Sequence, residues 1–245
     1  MRLLGAAWRI ALLLGLGVFL ARPDLFAPIF APLTRFDAPA IYDGTSLLSL
    51  TLNHLALTFA ATLAASALAL GLAVLVTRPA GAEFLPFSRA LANAGQTFPP
   101  VAVLALTVPL LGFGAAPTFL ALFLYGLLPV FENALAGLSG VSPGVSEAAR
   151  GSGMTGLQRL RLVELPLAAP VILAGIRLSA IVSLGTATVG STVAAKTLGE
   201  VVIAGLLSGN TAFVLQGGLI VAALAILIND AFLWVEGRLR ARLAS

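Results

Sequence analysis

The chain has 245 residues, of which 59% are hydrophobic and only 10% are charged. Soluble domains carry about 25% charged residues, so this composition excludes an ordinary water-soluble enzyme, and it also excludes a disordered chain. The mean hydropathy of +1.05 is typical of a polytopic membrane protein. At about 20 residues per crossing, the length holds about five to seven helices and leaves no room for a soluble catalytic domain.

The net charge and the rarity of cysteine and histidine exclude several kinds of partner and site. The net charge is +4, but the basic residues are thinly spread, which argues against nucleic acid as a partner and favours a topological role for the arginines. The absence of cysteine excludes disulfides and thiolate sites, and a single histidine, His54, excludes a histidine-rich metal site. We therefore predict neither catalytic residues nor metal ligands in this chain.

Uncharged stretches predict six transmembrane helices. The glycine- and proline-containing segment 111–117 divides a stretch of 42 uncharged residues, and Ser208-Gly209-Asn210 marks another break. The first helix could instead be a signal peptide, but Ala21-Arg22-Pro23 is a poor cleavage site, which favours an uncleaved helix. The predicted helices cover residues 5–21, 50–77, 91–111, 116–137, 170–192 and 212–235.

Six crossings place both termini on one side of the membrane. One side would hold eleven arginines, and the other would hold Arg22, Arg35 and Lys196. This asymmetry predicts that both termini are cytoplasmic in the cell (inner) membrane. The loop 22–49 would then lie outside, where its prolines favour an extended conformation. The predicted regions are an N-terminal helix with its outer loop (1–49), a transmembrane domain (50–235) containing the cytoplasmic loop 138–169, and a basic cytoplasmic tail (236–245).

The loop 138–169 carries a spaced motif. Ser142 and Pro143 predict a helix start, with Ser142 as N-cap and Pro143 in the first turn. The sequence continues with Glu147-Ala148-Ala149, three residues, Gly153, nine residues and then Val163-Glu164-Leu165-Pro166. This spacing resembles the EAA loop of ABC-importer permeases, in which isoleucine takes the position of Val163. Pro166 and Pro170 are expected to mark the start of the next helix.

The resemblance implies an all-α polytopic membrane protein with about six transmembrane helices, the fold of type I ABC-importer permeases. It implies that a short helix bearing Glu147 seats in a groove of a separate ATPase subunit. The residues it assigns to this coupling are Glu147, Ala148, Ala149, Arg150, Gly153, Leu165 and Pro166.

Partners and cofactors follow from the same resemblance. The chain has no G-x-x-x-x-G-K-[ST] nucleotide loop, so ATP and magnesium would be bound by the partner ATPase, and this transport subunit would be no enzyme and carry no cofactor. The implied partners are a dimer of ABC ATPase subunits, a second permease subunit that is identical or related, an extracellular or periplasmic solute-binding protein, and the lipid bilayer.

Further strings resemble the branch of these permeases that imports osmoprotectants such as glycine betaine, carnitine or choline. Among them are Gln96-Thr97-Phe98-Pro99 and Leu198-Gly199-Glu200, and the resemblance covers roughly residues 50–235. One departure is Glu132, where relatives tend to have arginine. The resemblance implies the permease subunit of an ATP-driven importer of a compatible solute.

Polar residues inside the crossings are candidates for lining the translocation pathway, because they are costly in lipid. We predict this role for Asn93, Gln96, Thr97, Thr186 and Thr188. His54 lies near the predicted outer surface and is expected to be interfacial. The segment 194–210 is expected to form a short helix at the outer mouth.

Two alternative functions remain open at this point. A permease for another small solute, such as an amino acid, would share the EAA loop. An ion-coupled secondary transporter would need buried ionisable residues near the middle of the membrane. Glu132, Arg177 and Asp230 are its candidates, and all three fall toward the predicted cytoplasmic ends.

Overall fold

A computed structural model of the protein describes residues 2–35 and 37–243, with side chains from residue 7 onward. Met1, Phe36, Ala244 and Ser245, which belong to the predicted end regions, lie outside the described residues. Within the described part the chain is all-α and has no strand. The α-helices are α1 (Arg2–Ala21), α2 (Ala27–Phe30), α3 (Leu47–Val76), α4 (Leu85–Thr97), α5 (Pro100–Leu111), α6 (Ala115–Ser139), α7 (Pro143–Gly151), α8 (Gly156–Arg159), α9 (Leu165–Thr186), α10 (Gly199–Ser208) and α11 (Thr211–Leu243).

The number of crossings agrees with the prediction of about six. In the part of the chain that the structure describes, four helical stretches are long and apolar enough to span a membrane, and the total is six if each of two bent helix pairs forms one span. The four stretches are Leu47–Val76, Ala115–Ser139, Gly156–Val193 and Thr211–Leu243. Many large apolar side chains on these helices are exposed, which suits surfaces that face lipid.

The third predicted helix, 91–111, contains a break at Pro99 and Pro100, two prolines that are expected to interrupt a helix. The chain forms two helical segments, Pro79–Thr97 and Pro100–Leu111, which meet at an angle of 95°. Phe98 between them is extended, with φ −101° and ψ 140°, because proline disfavours a helical conformation in the residue before it. Two successive prolines also lack the N–H groups that would continue the helix.

The expectation of an extended outer loop is wrong for its first part. Residues 23–33 fold into short helical turns, and this segment meets the preceding helix Ala7–Ala21 at 111°. Pro23, Pro28 and Pro32 each lie in the first turn of one of these pieces, where a missing N–H costs no hydrogen bond.

The fifth crossing starts earlier than predicted. The helix is continuous from Gly156, through a π-helical turn at Leu160–Glu164, into α9. Pro166 and Pro170 do not interrupt it: Pro166 lies just after the π-helical turn, and Pro170 is accommodated inside α9. The last helix continues to Leu243 and includes most of the predicted basic tail.

The described chain divides into two compact units. Unit 1 consists of residues 1–60, 100–122 and 183–228. Its core includes Leu50, Leu184, Leu198, Phe213 and Ile220. A hydrogen bond from the Gly114 N–H to the Val193 carbonyl, 2.7 Å long, fixes the turn before α6 to the segment after α9.

Unit 2 consists of residues 61–99, 123–182 and 229–245. Its helices pack closely through small residues, which is the usual way membrane helices associate. In α3, alanines recur every fourth residue and are fully buried, at positions 61, 65, 69 and 73. Gly95 in α4 lies so close to α6 that an added Cβ would be 2.1 Å from the Leu124 carbonyl oxygen.

Candidate functional site

The helix α7 is confirmed where the motif predicted it, at Pro143–Gly151. The Ser142 carbonyl accepts hydrogen bonds from the N–H groups of Val145 and Ser146, both 3.1 Å. Ser142 therefore occupies the N-cap position, but its hydroxyl makes no capping hydrogen bond, which differs from the usual role of an N-cap serine.

This helix exposes the residues that the motif assigns to coupling. Glu147, Ala148 and Arg150 are exposed, whereas Ala149 is buried, with 7% of its surface accessible. Within the described residues Glu147 and Arg150 make no salt bridge with this chain. One face of α7 thus presents small and charged groups outward, and Ala149 anchors the opposite face.

Gly153 produces the sharp turn after α7. Its φ of +78° lies in the left-handed region that favours glycine. The Met154 N–H donates to the Ala149 carbonyl at 3.2 Å, and the Gly153 N–H donates to the Arg150 carbonyl at 3.0 Å. These two bonds form a Schellman motif, which ends the helix and sets the direction of the following segment.

The next helix starts with a capping box that the sequence analysis missed. The Gln158 N–H donates to the Thr155 hydroxyl at 3.3 Å, and the Thr155 N–H donates to the Gln158 side-chain oxygen at 2.8 Å. A threonine followed three residues later by glutamine is the local signal that could have predicted it. Leu165 and Pro166, the last motif positions, are half-buried at the start of α9.

Glu164 joins this loop to the end of α3, and the sequence analysis did not assign it a role. Its carboxylate accepts from Arg78 Nη2 at 2.5 Å and from Arg159 Nε at 2.9 Å. Glu164 is only 6% exposed, and each of its two carboxylate oxygens accepts a hydrogen bond from an arginine. Arg78 follows α3 directly, 86 residues away in sequence, so no local pattern reveals this pairing.

A cavity of about 370 Å³ adjoins these ion pairs. Ser146 and Arg150 of α7 line it together with Thr77, Arg78 and the other side chains that follow α3 and α6. Helix α7 therefore borders, within unit 2, on the cavity at the ends of α3 and α6.

The predicted pathway residues of unit 2 lie together on α4. Asn93, Gln96 and Thr97 are all exposed. Gln96 Nε2 donates to the Tyr125 carbonyl at 3.0 Å, and Thr97 Oγ1 donates to the Asn93 carbonyl at 3.1 Å. Tyr125 in turn donates its hydroxyl to the Phe98 carbonyl at the 95° bend. These bonds hold the end of α4 and Phe98 against α6 within unit 2.

The unusual Glu132 is paired rather than isolated. Its two carboxylate oxygens accept from Arg89 Nε at 2.7 Å and from Arg89 Nη2 at 3.3 Å. Arg177 pairs similarly with Glu236 at 2.9 Å and donates to Asn229 at 3.0 Å. Both ion pairs lie within unit 2.

The predicted pathway residues of unit 1 lie at the end of α9, where Thr186 is the last residue of the helix and Thr188 follows it. Thr186 and Thr188 are half-buried, and Thr188 Oγ1 donates to the Gly185 carbonyl at 2.7 Å. An added Cβ on Gly199 would lie 1.8 Å from the Thr188 carbonyl oxygen, so the start of α10 packs directly on this segment. Helix α10, at Gly199–Ser208, confirms the expected short helix in 194–210.

His54 is not interfacial, and that expectation is wrong. The ring is fully buried in unit 1. Its Nε2 lies 2.9 Å from the Leu184 carbonyl, and its Nδ1 accepts from the Leu198 N–H at 3.3 Å. Both ring nitrogens are thus used to join α3 to the segments on either side of residues 187–193.

The second half of the 22–46 linker is fixed to α10 and α11. Glu200 Oε1 accepts from the hydroxyls of Tyr42 at 2.8 Å and Thr45 at 2.6 Å. Gln216 Oε1 accepts from the Tyr42 N–H at 3.1 Å, and its Nε2 donates to the Ala40 carbonyl at 2.7 Å. Burial and the hydrogen bond to the Glu200 carboxylate raise the pKa of Tyr42 to about 12.

The sequence that forms these elements matches a known family across most of the chain. Residues 71–244 match the family described as binding-protein-dependent transport system inner membrane component. The chain belongs to this family. Membership confirms the resemblance carried by the EAA loop and decides against an ion-coupled secondary transporter.

Several permeases are similar to this chain over most of its length. The osmoprotectant import permease protein OsmY of Salmonella typhimurium is 38% identical over 79% of this chain and 82% of its own. The choline transport system permease protein OpuBB of Bacillus subtilis is 38% identical over 80% of this chain and 90% of its own. The glycine betaine/carnitine/choline transport system permease protein OpuCB of Bacillus subtilis is 38% identical over 76% and 85%.

Solved structures confirm the permease fold. A chain of the MetNI methionine ABC transporter, in an inward-facing conformation, superimposes with a TM-score of 0.70 at 23% identity, covering 79% of this permease and 95% of that chain. A chain of an amino acid ABC transporter solved with histidines gives a TM-score of 0.62 at 22% identity, covering 89% and 97%.

Proposed function

We propose that this permease is the membrane-spanning subunit of an ATP-driven, binding-protein-dependent importer of a compatible solute such as glycine betaine, choline or carnitine. The solute class is supported by the names of the relatives at 38% identity, which import osmoprotectants, choline, carnitine or glycine betaine. The amino-acid transporters resemble it only in fold, at 22 to 23% identity.

The exposed face of α7 is the observation that carries the coupling role. Glu147, Ala148 and Arg150 lie on an outward face, and the Glu164 ion pairs connect the same loop to Arg78 at the end of α3. A groove of an ABC ATPase would receive this face, with Glu147 and Arg150 binding polar groups and Ala148 permitting close approach. ATP and magnesium would be bound by that ATPase.

The orientation follows from the charges. The arginines of the coupling loop and the last helix favour a cytoplasmic position, so both termini would lie in the cytoplasm and the linker 22–46 would lie outside. A solute-binding protein outside the cell would deliver the solute near α10. A second permease subunit, identical or related, would complete the pathway, to which Asn93, Gln96 and Thr97 of α4 and Thr186 and Thr188 would contribute.

Uptake assays test this function. Radiolabelled glycine betaine uptake is measured in cells that lack other importers of it and express the permease with the ATPase and binding protein that co-purify with it. We expect uptake that unlabelled choline or carnitine inhibits and that methionine or histidine does not. Inhibition by an amino acid instead would contradict the solute class.

A charge reversal separates coupling from solute class. Glu147→Arg should abolish uptake while leaving the permease in the membrane, because the reversed charge would oppose binding in the ATPase groove. Glu83→Arg is the matched control, since Glu83 is an exposed acid in the Pro79–Phe84 turn outside the motif. Normal uptake by Glu147→Arg would refute the coupling role.

A further inference from the structure

A cavity of about 470 Å³ lies in unit 1 between α3 and the turn that precedes α10. Its volume falls in the range of small-molecule sites. Most of its wall consists of alanine methyl groups, which leave room for a bulky apolar group, and its polar side chains are an amide and an amine. The lining residues are Asn53, Ala56, Leu57, Ala60, Ala115, Ala194, Ala195 and Lys196.

Lys196 is the only lysine of the 245 residues. Its side chain is exposed, and within the described residues it forms no salt bridge. Glu200, four residues later, accepts hydrogen bonds from Tyr42 and Thr45 instead. The cavity therefore carries a positive charge that no side chain among the described residues neutralises.

The turn that bears Lys196 is held by its own hydrogen bonds. Ser191 Oγ donates to the Ala195 carbonyl at 3.0 Å and lies 2.8 Å from Thr197 Oγ1, which donates to the Ala187 carbonyl at 2.9 Å. Ala194 has a φ of +63°, a left-handed conformation that is unfavourable for alanine. Such strain persists only where the surrounding structure holds it, and it is frequent at binding sites.

Buried contacts fix the same turn to α3. The Leu198 N–H donates to His54 Nδ1 at 3.3 Å, and His54 lies one residue after Asn53, which faces the cavity. Asn53 is exposed although it lies within a membrane-spanning helix, where a polar side chain is costly unless it meets water, protein or a solute. Lys196 and Asn53 are therefore presented to one space by a fixed frame.

The groups that line this cavity favour a solute with a carboxylate over one without it. A carboxylate would be attracted by the Lys196 ammonium and could accept a hydrogen bond from the Asn53 amide. The methyl groups of a quaternary ammonium would contact the alanines. Choline has the quaternary ammonium but no carboxylate, so the lysine would repel its net positive charge without a compensating attraction.

We propose that Lys196 and Asn53 form a subsite for the carboxylate of a zwitterionic solute, so that this permease favours glycine betaine and carnitine over choline. This inference rests on the proposed function and adds a selectivity that resides in the permease itself.

Paired uptake measurements test the subsite. Glycine betaine and choline uptake are compared for the unaltered complex, Lys196→Gln and Lys196→Arg, with the same binding protein throughout, so its own preference cancels. Lys196→Gln should lower the ratio of glycine betaine to choline uptake by about three- to tenfold, and Lys196→Arg should preserve it. Arg35→Gln, which removes an exposed cation elsewhere in unit 1, should leave the ratio unchanged.

A second measurement needs no variant. Because Lys196 is the only lysine, an amine-reactive acylating reagent modifies one side chain, which mass spectrometry locates. Glycine betaine should slow this acylation in the purified complex, and choline chloride at equal ionic strength should not.

The outcomes distinguish failure of the subsite from failure of the proposed importer function. An unchanged uptake ratio in Lys196→Gln, or equal slowing of acylation by both solutes, would overturn the subsite while leaving the importer intact. Equal loss of both uptakes in Lys196→Gln would show a structural role and would also overturn it. Failure of the unaltered complex to import either solute would overturn the proposed function, and the subsite with it.

Discussion

The Arg78 guanidinium lies 2.5 Å from the Glu164 carboxylate and so joins the end of α3 to the loop that carries the coupling motif. Arg159 completes the site from the other side, at 2.9 Å. Removal of the carboxylate would leave two arginine side chains facing each other in a site with little solvent. The ion pairs therefore hold the start of the Gly156–Val193 helix against the end of α3.

Glu164→Gln should consequently destabilise the permease by about 1–3 kcal/mol, because it removes the only acid from between two partly buried arginines. Unfolding in mixed detergent micelles gives the difference, and Glu83→Gln is the exposed acid-to-amide control. The double variant with Arg78→Gln should show a coupling energy of about 1 kcal/mol between the two positions. Strict additivity would mean that this ion pair contributes nothing.

Gly153→Ala should impair coupling because alanine at φ +78° costs about 1–2 kcal/mol and would alter the turn after α7. Gly151→Ala is the matched control, since Gly151 lies in α7 with no atom within 4 Å of an added Cβ. Solute-stimulated ATP hydrolysis by the complex should fall for Gly153→Ala only. Equal effects of the two changes would show that the left-handed turn is not required.

Gly95→Ala should separate α4 from α6, because its Cβ would lie 2.1 Å from the Leu124 carbonyl oxygen, and backbone cannot move aside as a side chain can. We expect about 1–3 kcal/mol of destabilisation and a loss of uptake, measured by unfolding and by transport. At Gly71 in α3 the same change meets no atom within 4 Å and should be neutral. A stable, active Gly95→Ala permease would mean that the two helices are not closely packed.

The Tyr42 hydroxyl should give the permease a measurable loss of stability at high pH. Its pKa is raised to about 12 in the folded protein, above the ordinary value of 10, so folding favours the protonated form. The stabilisation is complete below pH 10 and is lost as the pH rises from 10 to 12. The free energy of unfolding should fall more steeply over this interval for the unaltered chain than for Tyr42→Phe, and equal slopes would contradict the raised pKa of Tyr42.

The features that the sequence predicted correctly are those encoded by neighbouring residues. The start of α7 follows from Ser142-Pro143, and the end of α10 follows from Gly209, which has a φ of +67°. Each depends on local backbone preferences. The spacing from Glu147 to Pro166 lies within one segment of the chain, and the resemblance that it carries is confirmed by the family match.

The features that the sequence did not predict depend on residues far apart in the chain. Arg78 and Glu164 are 86 positions apart, and Tyr42 and Glu200 are 158 apart. A lone histidine near a helix end is a polar residue that favours the membrane interface. The two ring nitrogens of His54 instead form hydrogen bonds with buried backbone groups. The chain bends by 95° at Pro99 and Pro100, and hydropathy does not encode the size of this angle.

The most direct test of the account is ATP hydrolysis by the complex purified gently from native membranes through this permease. We predict that an ABC ATPase co-purifies, that solute-loaded binding protein stimulates its activity, and that Glu147→Arg removes both effects whereas Glu83→Arg removes neither. Reproducible purification of the permease without an ATPase, under conditions that preserve a control importer, would contradict the account.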